Sequence, residues 1–204
     1  MHIYKTQKGE RVAGVTTILK NLGWNTDALI GWARREAMAG NDPNKIRDKS
    51  ADIGTLAHYL CECDAKGIKP ELDDYSKKHI EIANQCFESY KEWKKLHKIQ
   101  EIDSEIQLVS NKYKFGGTID MLYKVNGKSI LGDIKTSSNI FTEMKVQVSA
   151  YEQLLKENNY KVDEVYILHL NKDGGFTPYK IGKLDIYWEI FRCCLELEKL
   201  KRLI

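Results

Sequence analysis

The chain has no long apolar run: nothing approaches the ~18–20 consecutive apolar residues that a helix needs to cross a bilayer. No signal peptide opens it, so a cytoplasmic location, away from membranes, is expected. Charge of one sign is lacking too. Lys and Arg number 32 against 29 Asp and Glu, a net charge of +3 that by itself carries no strong nucleic-acid footprint. There is no internal repeat, low-complexity tract or Pro/Gly/Ser linker. The 204 residues therefore read as one domain, long enough to bury a core, with 1–50 as an N-terminal helical extension and 51–204 as the main body. Five cysteines, an odd number with several at helical spacing, read as reduced, buried thiols rather than a disulfide framework. What remains, 42% hydrophobic and 30% charged, is the composition of a globular protein.

The informative stretch runs from Phe115 to Thr136. Two apolar, alternating segments flank Asn126-Gly127, the strongest short-range hairpin signal, because a type I′ turn needs φ > 0 at both central residues. With that two-residue loop Val125 faces Lys128, and counting back sets Asp120 opposite Asp133. Lys135, Leu122 and Leu131 share the carboxylate face, while Ile119, Met121, Ile130 and Ile134 line the other. Like charges directly opposed across a ladder are destabilising. Two carboxylates so placed in an apolar hairpin call for a compensating cation, ordinarily a divalent metal; solvated positions on an edge hairpin are the plainer alternative.

These residues resemble a known family. Gly117-x-x-Asp120 followed by Asp133-x-Lys135 is similar to the PD-(D/E)xK nuclease superfamily, and more narrowly to its RecB-like exonuclease branch. That branch adds Gly-x-x-x-His upstream and Gln-x-x-x-Tyr downstream, matched here by Gly54 to His58 and Gln147 to Tyr151. The ordered set spans residues 54 to 151, about half the chain; isoleucine stands before Asp120 where the superfamily's name has proline.

The resemblance implies an α/β fold of restriction-endonuclease type, a mixed central sheet flanked by helices. It implies Mg²⁺ or Mn²⁺ held by Asp120, Asp133, His58 and the carbonyl of Ile134, all oxygen or imidazole donors suited to such ions. Lys135 would sit beside the nucleophilic water, with a salt bridge to the aspartates as its structural alternative. Gln147 and Tyr151, one helical turn apart, would meet the substrate strand, or else belong to an ordinary amphipathic helix. Gly54 lets a backbone or phosphate approach closely, and Thr136 could donate to a phosphate or simply end the strand. Glu62, four residues past His58, is a further candidate whose alternative is a surface ion pair. Glu105 matches a glutamate common in the branch, yet Glu101, Asp103, Glu105 and Gln107 share a parity that reads as a solvated face. Some members carry an iron–sulfur cluster on one N-terminal and three C-terminal cysteines. This chain has no cysteine in its first fifty residues, so none is expected.

Along the rest of the chain, residues 1–13 read as a hairpin around Lys8-Gly9. Thr16 or Thr17 caps a short helix, and Thr26-Asp27 opens another carrying Leu29, Ile30, Ala33 and Ala37. Helices are expected over 50–65, 75–97, 142–158 and from 184 onward, with strands over 102–109, 113–125, 128–136, 163–170 and 175–181. His169 reads as a core or rim histidine, and Trp24, Trp32 and Trp93 as core rather than base-stacking residues. The basic groups Lys45, Arg47, Lys49 and residues 77–98 read as solvated faces or a phosphate track.

The expected activity is hydrolysis of DNA phosphodiesters, most simply by an exonuclease of recombination or end processing, in a small format resembling phage or mobile-element members. A structure- or site-selective endonuclease, a non-catalytic DNA-binding subunit and a small-nucleotide phosphohydrolase are the alternatives. Homo-oligomerisation stays open, with no interface signature evident.

Overall fold

The computed structural model describes residues 3–99 and 101–204, with the backbone alone for Glu101. The first two residues of the expected N-terminal hairpin, and the Glu101 side chain on the expected solvated face, lie outside the described residues. The elements run β1 (Tyr4–Lys5), β2 (Arg11–Gly14), α1 (Val15–Leu19), α2 (Thr26–Met38), α3 (Pro43–Lys66), α4 (Lys77–Leu96), β3 (Glu101–Ser110), β4 (Phe115–Val125), β5 (Lys128–Lys135), α5 (Thr142–Glu157), β6 (Glu164–Leu170), β7 (Phe176–Ile181) and α6 (Asp185–Lys201).

Asn126 and Gly127 take φ of 49° and 74°, the left-handed pair a type I′ turn requires. The hairpin they close has the expected register, Val125 against Lys128 through Met121 against Gly132. The sheet is mixed: β2 runs parallel to β4 and β5 parallel to β6, and the remaining pairs are antiparallel. Its strand order is β1-β2-β4-β5-β6-β7, with β3 on the other edge of β4. The N-terminal segment is therefore not purely helical, since it adds two strands to the sheet.

Helices cover both faces. One core packs α1, α5 and α6 onto Phe115, Leu122, Leu131 and Ile167; the other packs α3 and α4 onto Met121, Tyr123, Ile130 and Ile134. Ile119 belongs to the first core with Leu122 and Leu131, not to the second with Met121 as strict alternation predicts. The cause is local. Ser104 pairs Met121 and Ile106 pairs Ile119, but the Glu105–Asp120 step between them makes no ladder pair, and Glu105 has φ of 54°. A left-handed residue inside a strand breaks the alternation of faces.

Four further expectations change. Gly14, not a threonine side chain, stands at the N-cap of α1. α3 begins at Pro43, where Asp42 accepts from the amides of Asn44 and Lys45 and proline takes the first helical turn. α2 buries no residue; Leu29 and Ile30 are exposed, as is Trp24 just before it. Four cysteines are buried as expected, but Cys193 is exposed. No helix among the described residues is long and apolar enough to cross a membrane.

Candidate active site

The site arises where strands part company. β3 occupies one edge of β4 along its length, so the other edge must serve both β2, at Phe115–Gly116, and β5, from Met121 on. Between them Gly117 to Asp120 has no strand partner on that edge among the described residues. Side chains fill the slot instead. The Tyr4 hydroxyl bonds Thr118 Oγ1 at 2.8 Å, and the Ile134 amide donates to Asp120 Oδ2 at 2.8 Å. The Tyr4 side chain presses on Gly116, where a Cβ would come within 2.4 Å of its Cγ.

Asp133 follows the last paired position of β5 and is fully buried. Neither of its oxygens accepts a well-formed hydrogen bond; its one counter-charge is the Lys135 ammonium, 2.5 Å from Oδ2. Burial pushes the Asp133 carboxyl up to about 7; Lys135 pulls it down and Asp120 pushes it further up. Burial also works against the lysine's charge, but Asp133 and Asp120 outweigh it and hold the ammonium protonated. His58, on α3, places Nδ1 3.5 Å from Asp120 Oδ2. Burial lowers its pKa, Asp120 opposes that and Lys135 adds to it.

Of these groups, His58 and Lys135 line an open cleft of about 820 Å³, and Asp120 and Asp133 do not; its walls also include Tyr4, Gly54, Glu62, Glu105, Thr118, Thr136 and Tyr151. Gly54 is needed for closeness, because a Cβ there would stand 3.0 Å from Thr136 Oγ1. Gln147 donates to the Tyr151 hydroxyl at 2.8 Å across one helical turn. Tyr151 is both a core residue and a cleft residue; burial, then Asp133 and Asp120, keep its phenol protonated.

Glu105 is half-buried in the cleft wall rather than on the solvated face with Asp103 and Gln107, because its left-handed φ turns the side chain inward. Burial, followed by Asp120 and Glu62, raises its carboxyl to about 7. Glu62 lines the cleft and also makes the i,i+4 ion pair with Lys66. His169, buried on β6, hydrogen-bonds the Ser137 carbonyl at 2.5 Å and pins the turn that follows Lys135. Lys45, Arg47 and Lys49 are exposed and line no part of the cleft.

Sequence reasoning missed Tyr4 and the Lys172 tie to Ser50, whose carbonyl and hydroxyl accept from the ammonium across the cleft. The Gly116-Gly117 pair was the one available signal for Tyr4, since adjacent strand glycines mark a close approach. The lysine bridges 122 positions, and nothing local announces it.

The donors suit a hard divalent cation: two carboxylates, a backbone carbonyl and an imidazole held neutral. A fully buried carboxylate whose one close partner among the described residues is an ammonium is also a group that a bound cation would satisfy. Among the described residues, however, no three His, Cys, Asp or Glu side chains stand together as a ready-made shell. His58 turns to Asp120, and the Lys135 ammonium is paired with Asp133.

No family model matches the chain, and no curated protein does. Among solved structures it is similar to a "Putative exonuclease" from Eubacterium rectale, with TM-score 0.51 and 12% identity over 74% of this chain and 66% of that one. The chain thus spans just under two thirds of that protein, and the likeness shows a shared fold. LHK-Exo in complex with dAMP gives TM-score 0.41 at 13% identity over 76% and 89% of the two chains. SSO0001 gives 0.38 at 19% over 72% and 74%.

Proposed function

We propose that this chain is a metal-dependent DNA nuclease of the PD-(D/E)xK superfamily, RecB-like in its motifs, acting on DNA ends in recombination or end processing as phage and mobile-element members do. One observation carries the reading: a buried Lys135–Asp133 pair and an Asp120–His58 pair each present one member, Lys135 and His58, to a single open cleft. Mutual exposure of Asp133 and Asp120 to the same lysine charge supports it.

Mg²⁺ or Mn²⁺, held by Asp120, Asp133, His58 and the Ile134 carbonyl, would supply Lewis acidity and a more acidic bound water. The remaining roles belong to the chain. Lys135, kept protonated, favours hydroxide and stabilises charge developing on the phosphoryl oxygens. Tyr151, kept neutral and oriented by Gln147, donates to a phosphate oxygen. Thr136 offers a second hydroxyl where Gly54 leaves room. Water oxygen bonds to phosphorus, the bond from phosphorus to the 3′ oxygen breaks, and a 5′-phosphate and a 3′-hydroxyl result.

End-labelled single-stranded, double-stranded and circular DNA, incubated with Mg²⁺, Mn²⁺ or Ca²⁺ separately, test this reading. Linear DNA should be degraded and circles spared, with Mn²⁺ at least as effective as Mg²⁺ and Ca²⁺ inert. Opening of circles would make the enzyme an endonuclease. Binding without cleavage under every condition would leave only the non-catalytic subunit.

A further inference from the structure

α6 is apolar on two sides. Phe191, Cys194 and Leu195 are buried against the sheet and α5, with Trp188 packed beside them. Roughly opposite, Ile186, Ile190, Cys193, Leu197 and Leu200 recur at intervals of 4, 3, 4 and 3, the 3.5-residue period of a seam that packs on another helix. Ile186 is 62% exposed, Leu197 44% and Leu200 59%; Cys193 is exposed, and Ile190 is half-buried with part of its side chain against the first core. A helix that only roofed a core would be polar along that line.

We propose that the seam is a self-association surface, on which a second copy of this chain lays its own α6 in parallel about a two-fold axis. Charge selects the occupant and its direction. Glu189 and Glu196 border one side of the seam, and Lys201 borders the other. Antiparallel pairing brings like edges together, glutamate against glutamate, which is repulsive. Parallel pairing sets Glu196 opposite the partner's Lys201, and by symmetry Lys201 opposite the partner's Glu196. Within one chain Glu196 pairs with Lys199, and Lys201 with Asn21. The cross-copy contact is thus an exchange of partners that fixes direction more than it adds affinity.

Two heptads would not hold isolated peptides together, but α6 is already folded and anchored, so the nucleation cost is absent. The seam is short, about 20 Å at 1.5 Å per residue. It belongs with the smallest specific interfaces, below about 1,200 Å² in total, and points to a weak, concentration-dependent dimer. No residue of α6 lines the cleft, so pairing leaves the cleft open and the inference stands apart from the nuclease reading. In the parallel arrangement Cys193 meets its own copy, while the other four cysteines are buried.

Sedimentation velocity of the full chain over about 1–200 μM, under reducing conditions, should show reversible dimerisation by mass action. Leu197→Asp and, separately, Leu200→Lys should weaken it about tenfold or more. Both side chains are exposed, so an unchanged circular dichroism melt shows that folding is intact. Glu196→Lys or Lys201→Glu alone should weaken the dimer, and the two together should restore it. A short bis-maleimide should link the wild type into a covalent dimer but not Cys193→Ser. A wild type that stays monomeric across the range, a dimer indifferent to Leu197→Asp, or charge reversals that fail to rescue each other would overturn the proposal.

Discussion

Asp133 and Lys135 form a buried ion pair whose charge balance changes with pH. The carboxyl is pushed to about 7 in the folded protein against an ordinary 3.8. A folded pKa above the unfolded one means the folded state holds the proton more tightly. That contribution is full below about pH 4 and is lost as pH rises through about 7. Above that window the Lys135 ammonium is what makes an ionised Asp133 tolerable. Lys135→Ala should therefore do two things. Cleavage should fall by about 10²–10³, the usual cost of one preorganised electrostatic donor. Metal-free stability should fall little at pH 5 but by a few kcal/mol at pH 8, where breaking a buried pair strands a charge that can escape only by taking up a proton. Single-turnover cleavage and denaturant unfolding at the two pH values check both halves. A stability loss equal at pH 5 and pH 8 would mean that the lysine packs rather than compensates charge.

At the scale of elements, the β4–β5 hairpin was legible because its determinant is local: Asn126-Gly127 fixes the turn, the turn fixes the register, and the register brings Asp120 and Asp133 to one end. α4, α5 and the β6–β7 hairpin were legible for the same reason, through apolar periodicity and the Asp173-Gly174-Gly175 turn. The break in β3 and β4 was not. Its cause is a left-handed glutamate, a conformation no composition rule assigns to that residue. Trp24 was misread as a core residue because apolar character says what a side chain favours, not whether anything covers it. A non-glycine residue held left-handed costs of order 1 kcal/mol and survives where function requires it. Glu105→Gly should accordingly leave stability unchanged or raise it by up to about 1 kcal/mol, while lowering cleavage. Equal activity in that variant would show that the kink serves packing and that the carboxylate is idle.

Across the whole molecule, two cores cover opposite faces of one sheet, and between β2 and β5 side chains rather than a strand fill the edge of β4. β2 and β5 share an edge of β4 and stop short of each other, and the polar groups gathered there are paired incompletely. Such an arrangement costs stability: the fully buried Asp133 has the Lys135 ammonium as its one close partner among the described residues, and Glu105 is raised to about 7 beside Asp120 and Glu62. A divalent cation binding the folded chain alone would offset that cost by mass action, about 2.7 kcal/mol at a hundredfold excess over Kd. For a protein of this size each kcal/mol moves the melting temperature by about 2–4 °C, so a rise of roughly 5–10 °C is expected in saturating Mn²⁺. Asp133→Asn should melt lower than the wild type in EDTA at pH 8, since it leaves the Lys135 ammonium without its nearest counter-charge, and should show no Mn²⁺ shift. Calcium should stabilise the wild type without supporting cleavage, which separates holding the ion from using it. If the wild type and Asp133→Asn respond identically to Mn²⁺, the cation does not bind where the two carboxylates meet. The Lys135–Asp133 pair would then be the finished state of the site rather than its resting one.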